Sequence, residues 1–536
     1  MTDPLKPFDV ISRYPRHDGT LSGVLASRIS AVPERSFLVV GDRRWTYAEF
    51  GAAVERAAAL FRERGVRQGD RIGVMSQNHP ATVMTLFALA RLGAIMVPAN
   101  PDYRLEEARY VLTHAAVSGL ICSPATLAIA REACSAIEPA PWFMLNEPGE
   151  PDLPVFEQEL ARASEPAPQE QGTPDATCLF IYTSGTTGFP KGVMHSQRSV
   201  VLAGEGFVER MMLQPTDRLM AILPLFHINA VLYSLSGALA AGATFIAAPK
   251  FSASTFWKTV AETGATEVNT IAAATSILIR RPRSEFVPGH TLRKLYGAPL
   301  TPEIIEVFRN EFGVPHLIEG YGMSEIPGVF NNPFNGPHKA GSMGRLSRHP
   351  DPRVEFARAR VVDDAGNELP DGATGELEVR TPIVMQGYYR DPDQTAAAFH
   401  DGWFRTGDLV WRDADGFYWF VARKKDIIRK RGENISGAEL DRVIGEHPDV
   451  LEAAAIAVPA ELGEDEILVA VVRRAGAGVS AQEIAEWCRE RLAPIKVPRY
   501  VVFVDELPHT PTHRVAKFKL KGDAALVTRA VDLGAP

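Results

Sequence analysis

The chain has little cysteine, no surplus of positive charge and no long unbroken apolar run, and each shortage removes a class of function. Four cysteines in 536 residues, Cys122, Cys134, Cys178 and Cys488, show no paired spacing, which argues against a disulfide scaffold and a thiolate metal site. Most lie in apolar or helical contexts, as expected of reduced thiols in a cytoplasmic protein. Lysine and arginine total 57 against 65 acidic residues, a net charge of −8, and the basic residues are dispersed. Nucleic acid and anionic membrane surfaces are therefore not expected partners. The longest apolar tract, Ala230 to Ala248, is interrupted by Ser234, Ser236, Gly237, Gly242 and Thr244. It reads as a buried helix and strand, so no transmembrane segment is expected. Met1 to Lys6 carries no basic region followed by an apolar core, so no secretory leader is expected either. No short internal repeat is present.

What is present is the composition of a globular protein, 46% hydrophobic and 23% charged, in a chain too long for one ordinary core. Up to about residue 175 the pattern alternates. Helix is expected near 47–64, at Pro80 to Leu92 and at Leu105 to Thr113; strand is expected at Arg71 to Met75, Ile95 to Asn100 and Gly119 to Cys122. Such alternation predicts a parallel α/β core. The Pro-rich stretch Glu165 to Gly172 reads as a solvated connection.

The connection leads to the most informative segment, in which the apolar run Cys178-Leu179-Phe180-Ile181 precedes Tyr182-Thr183-Ser184-Gly185-Thr186-Thr187-Gly188-Phe189-Pro190-Lys191-Gly192-Val193. A buried strand feeding a loop with three glycines, several hydroxyls and a lysine makes a cationic, donor-rich cradle suited to phosphate oxygens. Pro190 before the lysine and the lack of a hydroxyl after it exclude the common nucleotide loop G-x-x-x-x-G-K-[ST]. The segment closely resembles the phosphate loop of the adenylate-forming superfamily, which includes acyl-CoA synthetases, aryl-CoA ligases, luciferases and peptide-synthetase adenylation domains.

That resemblance continues in order through nearly the whole chain. Leu223-Pro224-Leu225-Phe226-His227-Ile228-Asn229 is similar to the motif whose histidine lies at the substrate carboxylate, with His227 and Asn229 at the acyl pocket. No aspartate stands at Phe226 or His227, which weakens a peptide-synthetase reading. Val268 to Leu278 would wall the pocket, where Ala273 and Thr275 leave room; helix packing alone explains the segment equally well. Tyr296-Gly297-Ala298-Pro299-Leu300 resembles the turn flanking adenine, and Gly297 also borders the acyl group. Glu319-Gly320-Tyr321-Gly322-Met323-Ser324-Glu325 reads as a glycine turn with an aromatic face, a hydroxyl and a carboxylate. It can stack a base, bond the α-phosphate and hold Mg²⁺ at Glu325; Gly322 adjoins the acyl pocket. Gly402 to Leu409 is expected to end in a tight turn presenting Asp408 to both ribose hydroxyls, and Arg423 would reach ribose or phosphate. In Arg423-Lys424-Lys425-Asp426, Lys425 occupies the hinge position of the family, and Arg431-Gly432-Glu433 resembles its CoA tunnel.

The tail departs from the pattern. Where the family carries a glycine and a lysine that bridges carboxylate and phosphate, this chain has His513 and Arg514. Arginine keeps the charge and binds oxyanions in a fork, yet it is not a neutral exchange. Arg514 is the favoured replacement; Lys517, three residues on, would face the other side of a regular strand.

The resemblance implies an α/β protein with a large N-terminal adenylate-forming domain, residues 1–424, and a small mobile C-terminal α/β domain, residues 425–536. It implies an ATP-, Mg²⁺- and CoA-using ligase of a small carboxylic acid, with catalytic residues Thr183, Lys191, His227 and Arg514 or Lys517. Thr183 to Gly188, Lys191, Gly297 to Pro299, Glu319 to Ser324, Asp408 and Arg423 would bind ATP or AMP. Among such ligases the chain looks most like the crotonobetaine/carnitine-CoA ligase type, for which Glu205 and Glu209 are the acidic candidates toward a quaternary ammonium group. The rivals are a carrier-protein-loading ligase and a low-turnover nucleotide-binding regulator. Homodimerisation is left open.

Overall fold

The computed structural model describes residues 4–163, 171–183, 190–430, 433–459, 465–509, 515–523 and 525–534. It forms two compact units. The first gathers the chain up to Thr183, Pro190–Arg358 and Arg380–Phe404; the second gathers Ala359–Val379 and the chain from Arg405 onward.

The first unit is built on two largely parallel sheets, as the alternating pattern predicts. One has nine strands, and its inner order is His316–Met323, Lys294–Gly297, Glu267–Asn269, Arg218–Ala221, Thr244–Ala247 and Ser36–Val40. These six run parallel, so their carboxyl ends share one edge. The other sheet has seven strands, centred on Arg71–Met75, Ile95–Ala99 and Thr177–Thr183, with Lys191–Ser196 antiparallel beside the last. Helices form where the local chemistry asks for them. Thr46 and Glu49 make a reciprocal capping box that starts Tyr47–Glu63. Pro80–Leu92 is apolar on nearly every side, is buried except at Arg91, and stops at Gly93 with φ 68°.

The second unit carries a sheet that includes Gly375–Arg380, Trp403–Arg412 and Tyr418–Arg423, then the hairpin Ile427–Lys430 with Glu433–Ser436. Beyond it, strands Val450–Pro459, Asp465–Arg473 and Tyr500–Phe503 pair in order. Ile428, Leu440, Ile444, Val469 and Ile484 form a core between this sheet and the helices Gly437–Gly445 and Ala481–Arg489. This is the α/β tail expected from sequence. The grouping of 359–379 and 405–424 with that tail describes packing; residues 1–424 and 425–536 as rigid parts about a hinge is a separate matter of motion.

Three local expectations are corrected. Glu319 to Met323 do not form a glycine turn: they end an eight-residue strand, and the chain reverses at Ser324–Glu325 into the antiparallel strand Ile326–Asn331. Asp408 does not sit in a tight turn; it lies inside the ten-residue strand Trp403–Arg412, with the positive φ of 69° taken by Gly407. Lys517 opens the short helix Lys517–Lys521, so the strand-alternation argument against it does not hold. Among the described residues no helix is long and apolar enough to cross a membrane.

Candidate active site

The shared edge of parallel strands is where open α/β sheets place ligands, and four of the sequence motifs meet there. Ala221 leads into the His227 loop, Asn269 into Thr270–Thr275, Gly297 into Ala298–Pro299, and Met323 into Ser324–Glu325. Each loop has its own support. The Asn78 carboxamide accepts from Leu225 N at 2.7 Å and donates to Leu223 O and Ala248 O, pinning the loop that carries His227. Glu319, buried, accepts from Leu300 N at 2.9 Å and holds the Ala298–Pro299 segment, while burial raises its pKa. Ala298 and Pro299 themselves are exposed. A carboxyl so enclosed positions the Ala298–Pro299 turn.

The second sheet contributes the cradle's lysine. Thr183 and Lys191 are register partners across the hairpin whose strands flank the loop. The Lys191 ammonium lies 4.7 Å from the centroid of the Tyr388 ring, and the Tyr388 hydroxyl donates to Glu325 Oε1 at 2.9 Å. Lysine, phenol and carboxylate are thus brought together from three separate stretches of the chain. Further along the cradle strand, His195 is fully buried, which drops its pKa to about 4. The neutral ring donates from Nε2 to Ser324 O at 2.8 Å, its other nitrogen 3.3 Å from Ser199 Oγ. His195 therefore fastens the Ser324–Glu325 turn to the cradle.

Neither Tyr388 nor His195 was singled out from sequence. The only signals are Gly387-Tyr388-Tyr389 and the histidine four residues past Lys191, and neither has a periodicity that marks it.

The pocket residues are distributed unevenly. His227 is half-buried, its N–H bonded to Pro224 O at 3.0 Å and its ring beside Phe226. Asn229 follows at the mouth of the π-helix Ala230–Leu235, with a buried Oδ1 that lacks a donor among the described residues. Ala273 is on the exposed face of the helix Ala272–Arg280, whereas Thr275 is buried and turns its hydroxyl back to Ala272 O at 3.0 Å. Glu205 is not available to a cationic substrate: it accepts from His17 at 3.1 Å and His349 at 2.9 Å, and these bonds outweigh its burial to hold it at about 2.

In the second unit, Asp408 is 1% exposed and meets Arg423 at 2.7 Å across paired strands. Lys425 has its pKa lowered, chiefly by burial, and its carbonyl accepts from Lys521 at 3.0 Å. Lys517 reaches Asp441 at 2.5 Å. Ser184, Gly185, Thr186, Thr187, Gly188, Arg431, Gly432 and Arg514 lie outside the described residues, and Glu433 is described only in its backbone.

Among the described residues no group of three or more histidines, cysteines, aspartates and glutamates is arranged to hold a metal. A magnesium ion does not need one, since it is ordinarily held by one or two carboxylates and by substrate phosphates. Glu325, beside Lys191 and Tyr388, fits that limited role.

Residues 25–389 match the family described as AMP-binding enzyme, and 439–514 match its C-terminal domain. The chain belongs to the AMP-binding enzyme family. A sulfoacetate–CoA ligase of Cupriavidus necator is 35% identical to it over 94% of this chain and 98% of that one. A crotonobetaine/carnitine–CoA ligase of Salmonella choleraesuis is 29% identical over 94% and 97%. Among solved structures, ATP-bound MatB from Rhodopseudomonas palustris superposes with a TM-score of 0.81 at 28% identity, covering 94% of this chain and 98% of MatB. The AMP-binding enzyme described here thus shares with these relatives both its large and its small domain.

Proposed function

We infer that this protein is an ATP-dependent carboxylic acid:CoA ligase, which forms an acyl-adenylate and pyrophosphate and then an acyl-CoA and AMP. The observation that carries the reading is the convergence of Lys191, Tyr388 and Glu325 beside Thr183, at the mouth of a hydroxyl-rich loop. Two anions, carboxylate and ATP, must be brought together for the first step, and cations and donors are needed where charge accumulates. Thr183, Ser184, Thr186 and Thr187, with the backbone of Gly185 and Gly188, bind phosphate oxygens, and Lys191 neutralises them. Mg²⁺, held by Glu325 and the phosphates, would supply further charge neutralisation. The ring of Tyr321 stacks on adenine between Gly297–Pro299 and Gly320–Gly322, Ser324 bonds the α-phosphate, and Asp408 receives the ribose hydroxyls with Arg423 beside it. His227 and Asn229 border the reacting carboxylate.

Arg514 bridges carboxylate and phosphate in the first step; the ion pair of Lys517 with Asp441 supports this choice, because it already gives that ammonium a partner. Rotation about Lys425, between residues 1–424 and 425–536, then exchanges this arrangement for the CoA passage at Arg431, Gly432 and Glu433. The four free, buried cysteines are in keeping with a cytoplasmic location, and a homodimer is compatible with this chemistry.

The test is mass spectrometry of reactions with ATP, Mg²⁺, CoA and a panel of acids, run with the wild type and with Arg514→Ala. Acyl-CoA with AMP is expected, with the variant losing adenylate formation by roughly a hundredfold and thioester formation from supplied acyl-adenylate far less. Equal loss in both steps removes Arg514 from its role.

A further inference from the structure

The loop that carries His227 is set by a residue from the other sheet. Leu223 to His227 follow the strand Arg218–Ala221, and their last four residues close a tight turn in which His227 N–H donates to Pro224 O at 3.0 Å. Asn78 grips this turn on both sides of its first residue: Nδ2 donates to Leu223 O at 3.1 Å, and Oδ1 accepts from Leu225 N at 2.7 Å. Nδ2 also donates to Ala248 O at 2.8 Å, just past the strand Thr244–Ala247, and the Asn78 backbone N–H donates to Pro249 O at 3.1 Å. One residue thus joins the end of Arg71–Met75, in the seven-stranded sheet, to the ends of two parallel strands of the nine-stranded sheet.

The chemistry of this clamp is narrow. A carboxamide offers two hydrogens on one atom and an acceptor on the other, and here all of them are used at 5% exposure. A carboxylate of the same shape would keep the bond from Leu225 but turn an acceptor toward two carbonyls. A methyl group would leave three buried backbone groups without their partner. The base of the clamp is firm as well. The next residue, His79, caps the helix Pro80–Leu92 by accepting from Ala81 N at 3.2 Å, so a change at Asn78 is taken up by the turn and swings the His227 ring with it.

The nucleotide side of the site is held by other means. The strands flanking the cradle have their own ladder, Glu319 holds Leu300 N, and His195 holds Ser324 O. Resting on the ligase reading, we propose that Asn78 is a positioning residue for the acid: it aims His227 at the carboxylate that is activated and leaves ATP binding to the rest of the site.

The test measures acid-dependent ATP–pyrophosphate exchange in the wild type, Asn78→Ala and Asn78→Asp, each also combined with His227→Ala, with melting temperatures recorded for all. Propionate, succinate, sulfoacetate and phenylacetate are the acids, titrated at saturating ATP, and ATP is then titrated at saturating acid. Each single variant at position 78 is expected to lose roughly 10- to 100-fold in kcat/KM for every acid the wild type uses, while KM for ATP shifts by less than about threefold. Added to His227→Ala, the same changes cost less than about threefold more, because the ring they displace is already gone. A loss shared equally by acid and ATP, or one that multiplies in full on His227→Ala, marks general damage and overturns the proposal. A folded Asn78→Ala with unchanged kcat/KM overturns it too. If neither variant folds, Asn78 serves the fold alone and the proposal falls while the ligase stands. A wild type that exchanges pyrophosphate with none of the acids removes the ligase reading itself, and the proposal with it.

Discussion

Tyr388 shows how much one hydroxyl can govern. It holds Glu325 by a 2.9 Å bond while its ring lies under the Lys191 ammonium. Tyr388→Phe keeps the ring and removes the bond to a charged carboxylate, an interaction worth about 1.5–3 kcal/mol. Acid-dependent pyrophosphate exchange is therefore expected to fall by roughly 10- to 100-fold, mostly as a higher KM for MgATP, while Tyr388→Ala falls further. His195 governs stability instead. Burial puts its folded pKa near 4 against an ordinary 6.5, so the unfolded chain takes up a proton first as the pH drops. Its contribution is complete above pH 6.5 and is lost as the pH falls toward 4, by roughly 3 kcal/mol in all. Thermal melts across that window should flatten in His195→Gln relative to wild type.

At the scale of elements, much was legible because burial and periodicity agree. Pro80–Leu92 and the strands on either side of it are predominantly apolar runs of the right length, and the structure places them where the pattern does. Two of the three errors came where glycine stands in a strand: Gly320, Gly322 and Gly407 suggested turns, yet they are there to let neighbouring groups approach or to take one positive φ inside a continuous ladder. The candidate site was legible wherever a motif is contiguous. Tyr388, His195 and Asn78 were not, because each acts through a partner more than 60 residues away and carries no local pattern.

The strand Glu267–Asn269 hides a comparable surprise. Glu267 is fully buried with neither carboxylate oxygen bonded among the described residues, and burial together with the nearby Asp217 raises its pKa well above the usual range. Asp217 takes the cations, Lys294 at 2.7 Å and Arg293 at 2.5 Å. Because the folded state keeps the Glu267 proton and the unfolded chain releases it above about pH 4.5, stability drains away as the pH rises. Glu267→Gln cannot ionise. Its melting temperature should match wild type at pH 4.5 and exceed it at pH 8.

For the whole molecule, the expected division of labour is in time. The second unit has its own core and its own sheets, as a part that moves as a body requires. Lys425 lies in the short connection Lys424–Asp426 between Tyr418–Arg423 and Ile427–Lys430. Lys425→Pro fixes φ there, so thioester formation from supplied acyl-adenylate should drop at least tenfold in stopped-time assays while adenylate formation falls less. Equal losses would place the hinge elsewhere.

Glu205, in the middle of the helix Gln197–Met211, accepts His17 from one side and His349 from the other. The opening stretch of the chain, which contains none of the nucleotide motifs, is therefore tied through His17 to the helix Gln197–Met211. Changing His17 or His349 therefore alters how firmly that helix is held without touching any residue of the nucleotide motifs.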